Sequence, residues 1–74
     1  MTSQGWGLMW QMDTKQLREE IEKASRRFHQ KYGIWPNLVT VNDLVLQKSG
    51  INNPAIRGER MTPRSHIHLW GIPE

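Results

Sequence analysis

Between Asp13 and Gly33 the apolar residues Leu17, Ile21, Ala24, Phe28 and Tyr32 recur every three or four positions, which gathers them on one stripe of a helix. The opposite face is charged. Glu19 precedes Lys23, and Glu22 precedes Arg26, by the one-turn spacing and in the order that favours an ion pair along a helix surface. Acidic residues crowd the first half of the segment and Lys23, Arg26, Arg27 and Lys31 the second, as the helix dipole prefers. Both ends are marked as well. Asp13 is placed to accept from the first-turn N–H groups, with Gln16 completing a capping box and Met12 and Leu17 at the positions of a hydrophobic staple. Gly33 supplies a left-handed stop, and Ile34 after it can touch Phe28 across the cap. The pattern predicts a helix over residues 13–33, around which the rest of the chain is organised.

Outside this helix the period changes. Trp6, Leu8 and Trp10 alternate with Gly5, Gly7 and Met9, a period of two that fits a short strand inside a Trp-rich arm of residues 1–12. That arm has three readings: a lid folded over the core, a sticky arm for another chain, since Trp is enriched among interface anchors, or a disordered leader. Pro36 pushes Trp35 toward extended backbone, and Leu38 to Val41 reads as a strand. Asn42 and Asp43 offer an N-cap to a short helix through Leu44, Val45 and Leu46, which Gly50 ends; Ile51 to Pro54 is then a turn.

The last third reads as two strands, Ala55 to Met61 and Ser65 to Trp70, joined into a hairpin by Thr62, Pro63 and Arg64, with Gly58 marking a bulge. In the second of these, Ile67 and Leu69 point one way while His66, His68 and Trp70 point the other. The expected fold class is therefore α+β: one long amphipathic helix packed on a small, mainly antiparallel sheet with a second short helix. A single domain spans residues 1–74, with the arm (1–12), the main helix (13–33), and the strand, short helix and C-terminal hairpin (34–74) as its parts.

Composition narrows the function more than the fold. The chain has 74 residues, 36% of them hydrophobic, and no cysteine, so neither disulfides nor thiolate metal sites can supplement a small core. Burial borrowed from a partner, with a homo-oligomer the first expectation, follows from that. The formal charge of +3 is only mildly basic. The first residues carry no basic n-region, apolar h-region or small-residue cleavage site, and no window approaches the roughly 18 apolar residues of a membrane span. A cytoplasmic protein without membrane contact is the expectation.

Catalytic constellations are missing. The sequence has no GxSxG, no glycine-rich phosphate loop and no HExxH, and Ser65 beside His66 on a strand faces the opposite side, so no enzyme activity and no cofactor are expected. His66 and His68, two apart on a strand, could reach one ion, but a third ligand such as His29, Asp43 or Glu59 is not fixed by spacing, and no metal is assigned. The four tryptophans are more than a core of this size needs. Trp6, Trp10, His66, His68 and Trp70 are thus the candidate surface for a protein partner or a second copy, through strand-edge addition in a dimer. The alternative is nucleic-acid binding, through Lys23, Arg26, Arg27 and Lys31 on the helix and Arg57, Arg60 and Arg64 near the hairpin, with Trp35 and Trp70 stacking on bases. The interleaved glutamates make the helix cations look more like a solvated face.

From Phe28 to Trp70 a helix ends in Tyr32-Gly33, a proline precedes the apolar strand LVTVN, the short helix DLVLQKSG follows, and then comes IRGERMTPRSHIHLWG. This order resembles the core of tailed-phage coat proteins of the common capsid fold, in which a helix, a strand ending in Asn and a Pro-containing hairpin recur. The likeness covers a little over half the chain and lies in layout and punctuating residues. Such coat proteins have long arms and several hundred residues, for which this chain has no room. What the resemblance implies is a small phage or mobile-element protein, and it transfers no functional residue.

Overall fold

The computed structural model describes residues 6–72; the first five residues of the Trp-rich arm and the last two of the chain lie outside them. The elements follow in the order β1 (Trp6–Gln11), α1 (Leu17–Tyr32), β2 (Leu38–Asn42), α2 (Asp43–Ser49), β3 (Ile56–Glu59) and β4 (His66–Gly71). They build an α+β fold around one four-stranded sheet in the order β1-β4-β2-β3. β4 pairs antiparallel with both β1 and β2, and β3 pairs parallel with β2, so the sheet is mixed with antiparallel pairing dominant.

The last two strands do not form the expected hairpin. β4 enters between β1 and β2, while β3 runs beside β2 on the outer edge. The sequence carries the reason. Ile67, Leu69 and Gly71 are all buried, which suits a central strand, whereas β3 offers only a half-buried Ile56 and otherwise faces water. The helix between β2 and β3 supplies the crossover that a parallel pair needs. The connection after β3 then passes over the end of β2, where the Asn42 Nδ2 donates to the Thr62 carbonyl at 2.9 Å and both residues are buried.

Gly58 is not a bulge either. The β2–β3 register runs unbroken through Val41↔Gly58 and Asn42↔Glu59. Glycine is needed because α2 lies close: a Cβ there would stand 2.9 Å from the Asp43 Oδ1, 3.0 Å from the Asp43 Cα and 3.3 Å from the Leu46 Cδ2. Gly33 and Gly50, in contrast, do end α1 and α2 in the left-handed region, at φ 77° and 71°. Asn42 caps α2 as expected, its Oδ1 accepting from the Leu44 and Val45 N–H groups.

The main helix starts one turn later than its pattern predicts. Gln16 is the N-cap residue and makes no side-chain cap bond, so neither the Asp13 cap nor the Gln16 capping box forms, and the staple frame built on Asp13 goes with them. The Asp13 N–H is instead drawn out of any helix by the Glu20 carboxylate, to which it donates at 3.1 Å. The apolar stripe is as expected. Leu17, Ala24 and Phe28 are buried against Val39, Val41, Ile67 and Leu69, with Ile21 and Tyr32 half-buried at the margins. Of the two expected surface pairs, Arg26 meets Glu22 at 2.8 Å, whereas Lys23 turns to Glu20 at 3.6 Å because that carboxylate is already fixed in place. Beyond the Gly33 cap, Ile34 and Phe28 do converge, both flanking Gly71: a Cβ on that residue would lie 2.9 Å from the Ile34 Cδ1 and from the Phe28 Cζ.

Both close approaches are testable. Gly58→Ala and Gly71→Ala should each destabilise the domain by about 1–3 kcal/mol through overpacking. Gly58→Ala meets backbone and should be the harder of the two to absorb. Urea unfolding monitored by tryptophan fluorescence gives the difference.

Candidate interaction face

Strand alternation divides the sheet into unlike faces. On one, Leu8 and Trp10 of β1, Ile67 and Leu69 of β4, Val39 and Val41 of β2 and Ile56 of β3 turn toward the helices. Both helices lie on this side: Glu20 of α1 takes the Trp10 indole, and Asp43 and Leu46 of α2 press on Gly58. The other face carries no helix. It displays Met9, Gln11, His66, His68, Trp70, Leu38, Thr40, Arg57 and Glu59, in cross-strand pairs such as Met9↔His68, Leu38↔Trp70 and Thr40↔Arg57.

Trp70 is the largest side chain on this face and stands near the C-terminal end of β4. Its partner on β1 is Gly7, and the indole lies across that residue so closely that a Cβ there would stand 3.1 Å from the Trp70 Cζ3. A flat ring on bare backbone remains 41% exposed, and Met9 beside it is 63% exposed. His68 meets the same indole edge-on, with ring centroids 6.4 Å apart. The end of β4 is held rigidly. Asn37 donates from its side chain to the Ile72 carbonyl at 2.8 Å and accepts from the Ile72 N–H at 3.0 Å, while its own N–H donates to the Trp70 carbonyl at 2.9 Å.

The five residues expected to meet a partner are thereby sorted onto two sides. His66, His68 and Trp70 share the helix-free face with Met9 and Leu38. Trp6 and Trp10 lie on the helix side: Trp6 packs near Tyr32, at 6.3 Å between centroids, and Trp10 is half-buried with its indole N–H given to Glu20. The expected nucleic-acid cations are also divided. Lys23, Arg26, Arg27 and Lys31 are on α1, Arg57 is on the helix-free face, and Arg60 and Arg64 are in the β3–β4 connection. Several are engaged within the chain, with Lys23 on Glu20, Arg26 on Glu22 and Lys31 over the Tyr32 ring at 5.3 Å. Trp35 stacks on His29 at 4.2 Å, away from Trp70. Among the described residues no group of three or more His, Asp or Glu side chains is placed to hold a metal, and no helix is long and apolar enough to cross a membrane.

The residue most easily missed in the sequence is Glu20. It falls on the apolar stripe of α1, and its side chain is wholly buried. Its Oε1 accepts from the Trp10 indole N–H and the Asp13 N–H, each at 3.1 Å, and its Oε2 from the Thr14 hydroxyl at 3.1 Å. These bonds, the Trp10 one foremost, outweigh the desolvation that opposes them and, with Lys23, hold the carboxyl below its ordinary value of 4.5. Only an acid inside an otherwise apolar stripe hinted at this role.

No protein-family model, curated protein or solved structure matches the chain.

The Glu20 site sets a pH dependence of stability. Because the folded-state value is depressed, the contribution is complete well above pH 4.5 and is lost as pH falls through the lowered folded value. Glu20→Ala removes the shared acceptor of the Trp10 indole, the Asp13 N–H and the Thr14 hydroxyl and should cost about 1–3 kcal/mol at neutral pH. Glu20→Gln should also be less stable at neutral pH, with a flatter loss of melting temperature on acidification, measured by circular dichroism across the acid range.

Proposed function

We propose that this protein is a non-catalytic self-assembly module whose helix-free sheet face binds a second copy of the same chain. The observation that carries the reading is the exposed Trp70 indole spread over Gly7, flanked by Met9 and Leu38, on a face without a helix layer. Aromatic residues and Met are the types enriched at interface cores, and the His66, His68 and Gln11 side chains around them form a polar rim. A second copy suits the face for two reasons. Arg57 and Glu59, of opposite charge type and two apart on the same face of β3, can each oppose the other across a two-fold axis. In addition, seven apolar residues make up the fully buried core, and a sandwich of two sheets about 10 Å apart would supply a second one.

An accessory protein of a phage or mobile element that works by assembly remains the reading of the sequence order alone, since the hairpin of the coat-protein layout is not formed. Nucleic-acid binding receives less support, because its cations are dispersed over the helix, the opposite face and a loop.

Sedimentation velocity over a concentration series tests the reading. A dimer should form and persist at high salt, since the contact is mainly apolar. Trp70→Ala and Met9→Asp should each raise its dissociation constant by about tenfold or more. A monomer at every concentration, or a dimer indifferent to both substitutions, would refute it.

A further inference from the structure

At the opposite end of β4 from Trp70, on the helix side, a cavity of about 540 Å³ opens between the β1–α1 connection, α2 and the start of β4. Its volume is within the range of roughly 300–1,000 Å³ typical of small-ligand sites. Its apolar lining comes from Met12, Leu17 and Val45. Three cations stand around it, Lys15, Lys48 and Arg64, against the single carboxylate of Asp13.

Among the described residues none of these cations has an ion-pair partner. The ion pairs among the described residues are Lys23 with Glu20 and Arg26 with Glu22, both on α1. Lys48 lies in the last turn of α2 and also offsets the partial negative charge of that helix end. Lys15 and Arg64 have no such second task; they come from two different connections that meet where the Met12 N–H donates to the Ser65 carbonyl at 2.7 Å. Like charges gathered around an apolar lining repel one another weakly in water, and an anion between them reverses the sign of that interaction.

We infer that this cavity binds a small phosphate monoester with an apolar body. The phosphate would take Lys15, Lys48 and Arg64, and the body would rest on Leu17 and Val45. A dianion matches the excess of positive charge left by Asp13, and an arginine fork with two ammonium groups suits phosphate geometry. The site is on the other side of the sheet from the proposed assembly face and does not depend on it.

The test is an NMR titration of the intact chain at low salt with phenyl phosphate, phenol and inorganic phosphate in parallel. Phenyl phosphate should bind saturably, more tightly than either of the others, with amide shifts concentrated at Leu17, Val45, Lys48 and Arg64. The double substitution Lys15→Gln/Arg64→Gln, at two exposed positions, should leave the melting temperature unchanged and weaken binding by about tenfold or more. Adenosine 5′-monophosphate and hexyl phosphate then separate a nucleotide source from a lipid-like one, the tighter naming it. Absence of saturable shifts at the cavity, equal affinity for phenol, or unchanged affinity in the double variant would overturn the assignment.

Discussion

The structure depends on the pairing of β4, the last strand of the chain, between β1 and β2. Until it arrives, the first and second strands have no partner in common, and the Val39 and Val41 side chains of β2 lack the Ile67 and Leu69 they pack beside. Because β1 must find a strand some sixty residues away, as in Leu8↔Leu69, the sheet is dominated by non-local contacts that cannot form one at a time. The same strand fixes the two faces. Ile67, Leu69 and Gly71 commit one side to the helices, and the intervening His66, His68 and Trp70 are left on the other by the geometry of the pleat.

Glu20 makes the outer part of this arrangement single-valued. An apolar residue at its position would fill space on the stripe of α1 equally well, but it could not bind the Trp10 indole, the Asp13 N–H and the Thr14 hydroxyl together. Those bonds tie β1, the connection and the helix to one carboxylate. They set where the helix begins and hold Trp10 against the core. A buried charge costs desolvation, and it is tolerable here because three donors and Lys23 compensate it.

What could be read in the sequence followed local periodicity, and what could not depended on tertiary pairing. The stripe from Leu17 to Tyr32, the Gly33 and Gly50 stops, the Asn42 cap and the alternation of β4 are all properties of a few neighbouring residues, and all are present. The hairpin failed because adjacency in sequence was read as adjacency in the sheet, when β3 has too little apolar surface to occupy a central place. The capping box failed because Asp13 and Gln16 matched a local motif that a buried carboxylate four residues further on outcompetes. As for the candidate site, the triad His66, His68 and Trp70 was legible from period two, whereas Met9 and Leu38 join it only through the register. Trp6 and Trp10 resembled surface anchors by residue type, and their side of the sheet was set by which β1 positions oppose Ile67 and Gly71.

The two surfaces left unexplained by stability sit toward opposite ends of β4. The helix-free face exists because both helices of the described residues cover the same side of the four-stranded sheet. The cationic cavity lies where two connections, β1–α1 and β3–β4, meet beside α2 at the sheet end. On the first of these, the placement of the indole depends on a second strand: a Cβ at Gly7 would stand 3.1 Å from the Trp70 Cζ3 and oblige the ring to shift by a few tenths of an ångström. A small domain that needed only to bury its tryptophan could have turned it inward, as it does with Trp10. Trp70 instead lies outward over the Gly7 backbone with its strand end clamped by Asn37, so the contact proposed above would meet a ring already ordered.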